Sequence, residues 1–131
     1  MSELATSEVG QAWQGPAQGR VLTMVLDGEI GLTEVGDVSD MLFRLSLDGV
    51  ARLVLDLSGV THFDFRGVKH LVRHAESLRL LGGDLKLAGL SPYLFAIFRS
   101  AGAHDAFDYF AEAQAARAAF EPLARAAAGA A

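Results

Sequence analysis

The stretch from Leu53 to Leu81 constrains the fold of this chain more than any other. It opens with an apolar run, Leu53-Val54-Leu55-Asp56-Leu57, crosses Ser58 to Asp64 as a short loop, and then changes period. Val68, Leu71, Val72, Ala75 and Leu78 fall on one helical stripe. A run of strand length followed by an amphipathic helix is the strand-turn-helix step of a βαβ unit. Such a step brings the helix N-terminus to the carboxyl edge of the sheet, where open α/β sheets place their working surface. Asp56 reads as polar punctuation near that edge. Asp64 is the best N-cap, because its carboxylate can accept from the free amides of the first turn.

The flanking sequence repeats the alternation. Residues 1–7 are small and polar and are expected to fray, and Glu8 to Trp13 is a weak first strand. Gly15 to Gly19 is a turn-rich link. Arg20 to Leu26 is rich in strand formers and is expected to pair with the first strand as a hairpin, with Asp27 to Gly31 as a loop. Leu32, Val35, Val38, Leu42 and Leu45 predict a helix over Thr33 to Leu47, capped by Thr33 or Asp37 and ended at Asp48-Gly49. After the middle helix, Gly82-Gly83 is a stop. Asp84 to Gly89 alternates as a strand, and Ser91-Pro92 starts a third helix that ends at Gly102. Phe107 to Phe110 is a short last strand, and Ala111 to Phe120 an alanine-rich helix halted near Pro122. The order β-β-α-β-α-β-α-β-α implies an α/β fold with a small, mostly parallel sheet.

At 131 residues the chain is expected to be one domain, with its core over about 20–120 and flexible ends at 1–7 and 122–131. It has no cysteine, which excludes disulfides, thiol catalysis and thiolate metal sites. The opening MSELATSEVG is no signal peptide, and no apolar run approaches the ~18 residues of a membrane span, so a soluble cytoplasmic protein without direct membrane insertion is expected. A net charge of -5 argues against nucleic-acid binding by phosphate neutralisation. There is no nucleophile elbow, phosphate loop or dinucleotide fingerprint, and so no catalytic residue and no cofactor is assigned.

The motifs and their spacing resemble the STAS domain, the fold of bacterial anti-sigma factor antagonists. The resemblance rests on Leu26-Asp27-Gly28-Glu29-Ile30, Leu53 to Val60, Phe63-Asp64-x-x-Gly67-Val68, Gly82 to Leu85, Leu90-Ser91-Pro92 and Ala101-Gly102, and covers about residues 20–120. It implies a small sheet with an N-terminal hairpin and helices packed against it, and protein-protein switching rather than catalysis. The family's switch is a serine or threonine in an Asp-Ser-Ser/Thr-Gly motif at the start of the second helix. A partner kinase modifies it, adding about -1.5 to -2 charges at the contact surface. Here that motif is Asp64-Phe65-Arg66-Gly67, with no hydroxyl at either middle position, and Gly31 stands where the family often has an aspartate. The resemblance therefore implies a binding domain for an anti-sigma factor or kinase-like regulator, without the phosphorylation switch. Two alternatives stay open: a subunit gripping the ATPase of a lipid-transporting ABC complex, and a homo-oligomer. The latter would be built on Phe95, Phe98, Phe107, Tyr109, Phe110 and the alanine-rich tail, or on an edge strand at Glu8 to Trp13.

The expected partner-binding residues are Asp64, Phe65, Arg66, Lys69, His70 and Arg73. Phe65 either staples the second helix to the core or projects as an anchor. Arg66 sits at a helix start, where a cation opposes the dipole by about 0.3–1 kcal/mol; it either points to solvent or meets an acidic partner. Lys69, His70, Arg73 and His74 lie away from the apolar stripe, as a solvated face or as a surface for acidic groups. His70 and His74 share a face, but no third ligand is evident and no metal is assigned. His62 and His104 read as loop residues. Ser58 and Thr61 are the remaining hydroxyls of the strand-to-helix loop, bonded to its backbone or displaced phosphorylation sites.

Overall fold

The structure, a computed structural model, describes residues 4–7 and 20–120. The elements are β1 (Leu4–Ser7), β2 (Val21–Ile30), α1 (Leu32–Leu47), β3 (Arg52–Phe63), a 3-10 turn (Phe65–Gly67), α2 (Val68–Leu80), β4 (Asp84–Ala88), α3 (Pro92–Ser100), β5 (Tyr109–Phe110) and α4 (113–120). The strands lie in sequence order in one sheet, β1 antiparallel to β2 and the rest parallel. Each parallel step needs a crossover, and right-handed crossovers between successive neighbours put α1, α2 and α3 on one face.

Side-chain alternation along the strands follows that layering. Leu22, Met24 and Leu26 of β2, Leu53, Leu55 and Leu57 of β3, and Leu85 and Leu87 of β4 meet Val35, Val38, Leu42, Leu71, Ala75, Leu94 and Phe98 in one core. The opposite face carries a smaller cluster, Val54 and Ala88 beneath Ala116 and Phe120 of α4. Polar groups hold α4 there. Arg117 donates to the Val21 carbonyl at 3.0 Å and to Thr23 Oγ1 at 2.9 Å. The Lys86 ammonium lies 4.7 Å from the Phe120 ring centroid.

The α/β fold and its element order are those expected, with specific corrections at the boundaries. Leu4–Ser7, expected to fray, pairs with Thr23 to Leu26 as the antiparallel edge strand; the strand expected over Glu8 to Trp13 lies outside the described residues. The residues 27–30 and 58–63, expected as loops, are strand. There β2 and β3 pair as far as Ile30 opposite Phe63, through two bulges in which β3 carries an extra residue. Asp27-Gly28 and Ser58-Gly59 imitate turns because a bulge uses the same residues: Gly28 has φ +76, a conformation that favours glycine. Asp56 accordingly lies within β3, where its Oδ1 accepts from the Ser58 amide at 3.0 Å. The N-cap of α1 is Gly31, not Thr33 or Asp37; the Glu34 carboxylate reaches back to accept from the Gly31 amide at 2.9 Å.

Candidate functional site

The carboxyl edge gathers the ends of β2 and β3 and the amino ends of the three crossover helices. At its centre the Asp64 amide donates to the Ile30 carbonyl at 2.8 Å, which ties the end of β3 to the end of β2. Asp64, expected to cap the middle helix, caps instead the 3-10 turn that leads into it, and the N-cap position of α2 itself falls on Gly67. The Asp64 Oδ1 accepts from the Arg66 amide at 2.8 Å. Gly67 makes the turn fit against α1, since a Cβ there would lie 2.5 Å from Val35 Cγ2.

Arg66 folds back on this cap. Its Nη2 lies 2.9 Å from Asp64 Oδ2 and its Nε 3.2 Å from Oδ1. The guanidinium and amide of Arg66 together hold the Asp64 carboxyl below the usual aspartate range. A cation that opposes the helix dipole thus has a local counter-ion, which accounts for a residue choice that looked unfavourable in the sequence. Its side chain is still 69% exposed.

Between Asp64 and Arg66, Phe65 is 53% exposed and takes no part in the core. Of the two readings its position allowed, the staple is therefore set aside. Lys69 and Arg73 are exposed one and two turns further on, and among the described residues neither pairs with an acid. His70 and His74 are each partly buried, and burial followed by the charge of His70 pushes the His74 imidazole down from its ordinary value. Among the described residues no group of three or more metal-ligating side chains is assembled.

Two features of this edge were not evident in the sequence. The first is a cleft of about 610 Å³ between the ends of β2 and β3 and the start of α1, lined by Asp27, Glu29, Glu34, His62 and Asp64 with Gly28 and Gly31. Its carboxylates converge only because the bulged pairing of β2 with β3 runs to the sheet edge. The alternation of Asp27 and Glu29 around a glycine was the available signal. The second is a bond between His62 Nδ1 and Tyr93 Oη at 2.6 Å, which links the end of β3 to the start of α3. Tyr93 is 54% exposed. His62, Ser58 and Thr61 belong to β3 rather than to a loop, and both hydroxyl residues are exposed. His104 is an exposed turn residue.

The aromatic residues considered for self-association are mostly used internally. Phe98 and Phe107 are buried, Phe98 packs 5.2 Å from Phe63 ring to ring, and Phe95 meets Tyr109 edge-on at 5.0 Å. Burial pushes the Tyr109 hydroxyl up to about 12, and it donates to the Ala103 carbonyl at 2.6 Å.

A family model described as STAS domain matches residues 12–116. No curated protein sequence matches the chain. Among solved structures, an anti-sigma factor antagonist from Mycobacterium paratuberculosis superposes with a TM-score of 0.74 at 18% identity, covering 92% of this chain and 95% of that one. The anti-sigma factor antagonist SpoIIAA in its unphosphorylated form gives 0.64 at 18% identity, covering 73% and 84%. The murine Solute Carrier 26 family anion transporter gives 0.66 at 17% identity, covering 78% of this chain and 18% of the transporter. At these identities the superpositions speak for the fold.

Proposed function

The chain belongs to the STAS domain family, and we propose that within it this protein is a non-catalytic docking domain, an anti-sigma factor antagonist-like regulator or scaffold whose grip does not depend on phosphorylation. The observation that carries the reading is Phe65: a large aromatic, half-exposed, at the start of the middle helix, on the edge where α/β sheets present their working surface. An aromatic held by a capped turn against α1 gives up little freedom when it enters a partner's pocket, which is how contact hot spots arise. Asp64 and Gly67 set the turn that displays it. Arg66, Lys69, His70 and Arg73 form the polar surround.

The relation to SpoIIAA supports the comparison from the other side. That protein is known in unphosphorylated and phosphorylated forms. At Phe65 and Arg66 this chain has no hydroxyl to modify. Contact here is therefore set by shape and fixed charge. The partner expected is a protein of the anti-sigma factor or kinase-like class in the cytoplasm; no helix among the described residues is long and apolar enough to cross a membrane. A second reading, carried by the family resemblance, is a subunit that grips the ATPase of a lipid-transporting ABC complex; a similar fold also occurs within the murine Solute Carrier 26 anion transporter.

Affinity capture from native cells with wild-type and Phe65→Asp protein, followed by mass spectrometry, tests both. The proposal expects one dominant protein partner that the variant fails to retain while its circular dichroism is unchanged. A kinase-like regulator supports the first reading and an ATPase the second. Equal capture by the variant removes the Phe65 edge from consideration.

A further inference from the structure

The outer faces of α1 and α2 carry one pattern with the signs reversed. Along α1 the exposed stripe is Asp37, Asp40, Arg44 and Leu47; along α2 it is Lys69, Arg73, Glu76 and Leu80. Both spacings alternate threes and fours, so each set keeps to one face of its helix. Leu47 is 71% exposed and Leu80 89%. Among the described residues none of the charged members of the two stripes enters an ion pair. Each helix also holds like charges one turn apart, Asp37 with Asp40 and Lys69 with Arg73, an arrangement that is unfavourable on an isolated helix.

The stripes lie at the same height. β2 and β3 end side by side, Ile30 opposite Phe63, and the Asp64 amide donates to the Ile30 carbonyl, so α1 and the turn into α2 leave the sheet at one level. As crossovers on one face of a parallel sheet, the two helices run in the same direction and touch. At about 1.5 Å per residue in an α-helix and about 2.0 Å in the 3-10 turn, each stripe begins about 8 Å from that level and ends about 23 Å from it. At the far end Phe43, 59% exposed, stands one turn before Leu47, and Leu81, 60% exposed, follows Leu80. Large apolar side chains gathered at the ends of two neighbouring helices mark a contact surface rather than ordinary exposure.

We infer that this helical face binds a second copy of the chain. A two-fold axis running between α1 and α2, parallel to both, lays α1 of one protomer along α2 of the second and α2 along α1. The paired helices then run in the same direction, acid meets base along both stripes, and Leu47 meets Leu80 with Phe43 and Leu81 beside them. The other face-to-face two-fold, across the helices, sets each helix on its own copy and puts Asp37 against Leu47 and Lys69 against Leu80. Burial of the leucines supplies the hold, and the charges, individually weak at a surface, fix the register. The inference does not depend on the docking role of Phe65. It shares Lys69 and Arg73 with the surround of Phe65, so a second copy and the partner proposed above compete for these two side chains.

Sedimentation equilibrium of the full chain at several protein concentrations and two salt concentrations tests this, with circular dichroism as the check on folding. The wild type is expected to pass from monomer to dimer as concentration rises, less readily at high salt. Asp37→Lys with Asp40→Lys, and separately Lys69→Glu with Arg73→Glu, should each weaken the dimer about tenfold or more. All four substitutions in one chain restore both the net charge and the complementarity, and should return the dimer to within about threefold of the wild type. Leu47→Ser with Leu80→Ser should abolish it, and Phe65→Asp should leave it unchanged. A wild type that stays monomeric at every concentration overturns the inference. So do reversed or leucine-substituted pairs that dimerise like the wild type, and a four-substitution chain as weak as either reversed pair. Loss of the dimer in Phe65→Asp would put self-association on the docking edge and overturn it too. Capture of the native partner reads Phe65 and sedimentation reads the helical face, so either reading can fail while the other stands.

Discussion

The two ends of α2 are built from similar parts and used in opposite ways. At its carboxyl end Gly82, with φ +84, turns the chain, and Gly83 passes so close to Ala51 that any Cβ would overlap the Ala51 carbonyl oxygen. Arg79 reaches Asp84 at 2.8 Å, Asp84 reaches Lys86 at 3.1 Å, and Lys86 reaches Asp108 at 2.9 Å beneath the ring of Phe120. Lys86 and Asp84 at its centre are only 10% and 18% exposed on their side chains, so the middle of this chain of charges is enclosed while Arg79 and Asp108 at its ends reach the surface. At the amino end a glycine again allows close packing and an aspartate again pairs with an arginine, yet Phe65 projects into solvent between them. The difference teaches which residues serve the fold. One end is committed to joining α2 to β4. The other is committed only through Asp64 and Gly67, which leaves the residues between them free to define a surface.

The sharpest way to break this contrast is Gly83→Ala. Overlap with a backbone carbonyl cannot be relieved by a rotamer change. The substitution should cost about 3 kcal/mol or more, a large share of the ~5–15 kcal/mol that stabilises a typical domain. Denaturant titration should show it, and a loss under 1 kcal/mol would mean that the α2–β4 corner is slack. Gly67→Ala should cost less, about 1–2 kcal/mol, because its obstacle is the tip of the Val35 side chain. The cost should shrink in a Val35→Ala background, so that the double variant is less destabilised than the sum of the singles. Asp84→Asn removes the shared partner of Arg79 and Lys86 and is expected to cost about 1 kcal/mol or more, with faster amide exchange in 113–120, because Lys86 sits under α4.

The smallest effect is at the exposed amino end. The Asp64 carboxyl is held below its unfolded value, so the stability it contributes is present above the usual aspartate range near ~3.9 and is lost as pH falls through its lower folded value. Carboxyl NMR titration should find Asp64 low in the wild type and moved upward in Arg66→Ala, with little change in melting at neutral pH. An Asp64 that titrates identically in both would deny the ion pair.

Much of this architecture was legible in the sequence, because the helix stripes and caps are local signals. Ser91 accepts from the Leu94 amide at 3.1 Å as its place before Pro92 predicts, and Gly82-Gly83 ends α2. The far ends of β2 and β3 were hidden because their bulges are made from the Asp-Gly and Ser-Gly pairs that also make turns. The site was legible as a position and not as a surface. Asp64 as a cap follows from its place before the helix, although the element it caps is the 3-10 turn and not α2. The exposure of Phe65, the pairing of Arg66 with its own cap, and the cleft of Asp27, Glu29, Glu34 and Asp64 depend on which strands meet at the edge.

The most direct test of the central claim is the dissociation constant of the captured partner for wild-type protein and for Phe65→Asp, read by calorimetry on unphosphorylated material. An aspartate near a helix start is favourable, so the fold should persist. The account predicts tight binding by the unmodified wild type and a loss of about 30-fold or more in the variant, the scale of a contact hot spot. Equal affinity of the two, or wild-type binding that changes when phosphate is placed on or removed from Ser58 or Thr61, would contradict it.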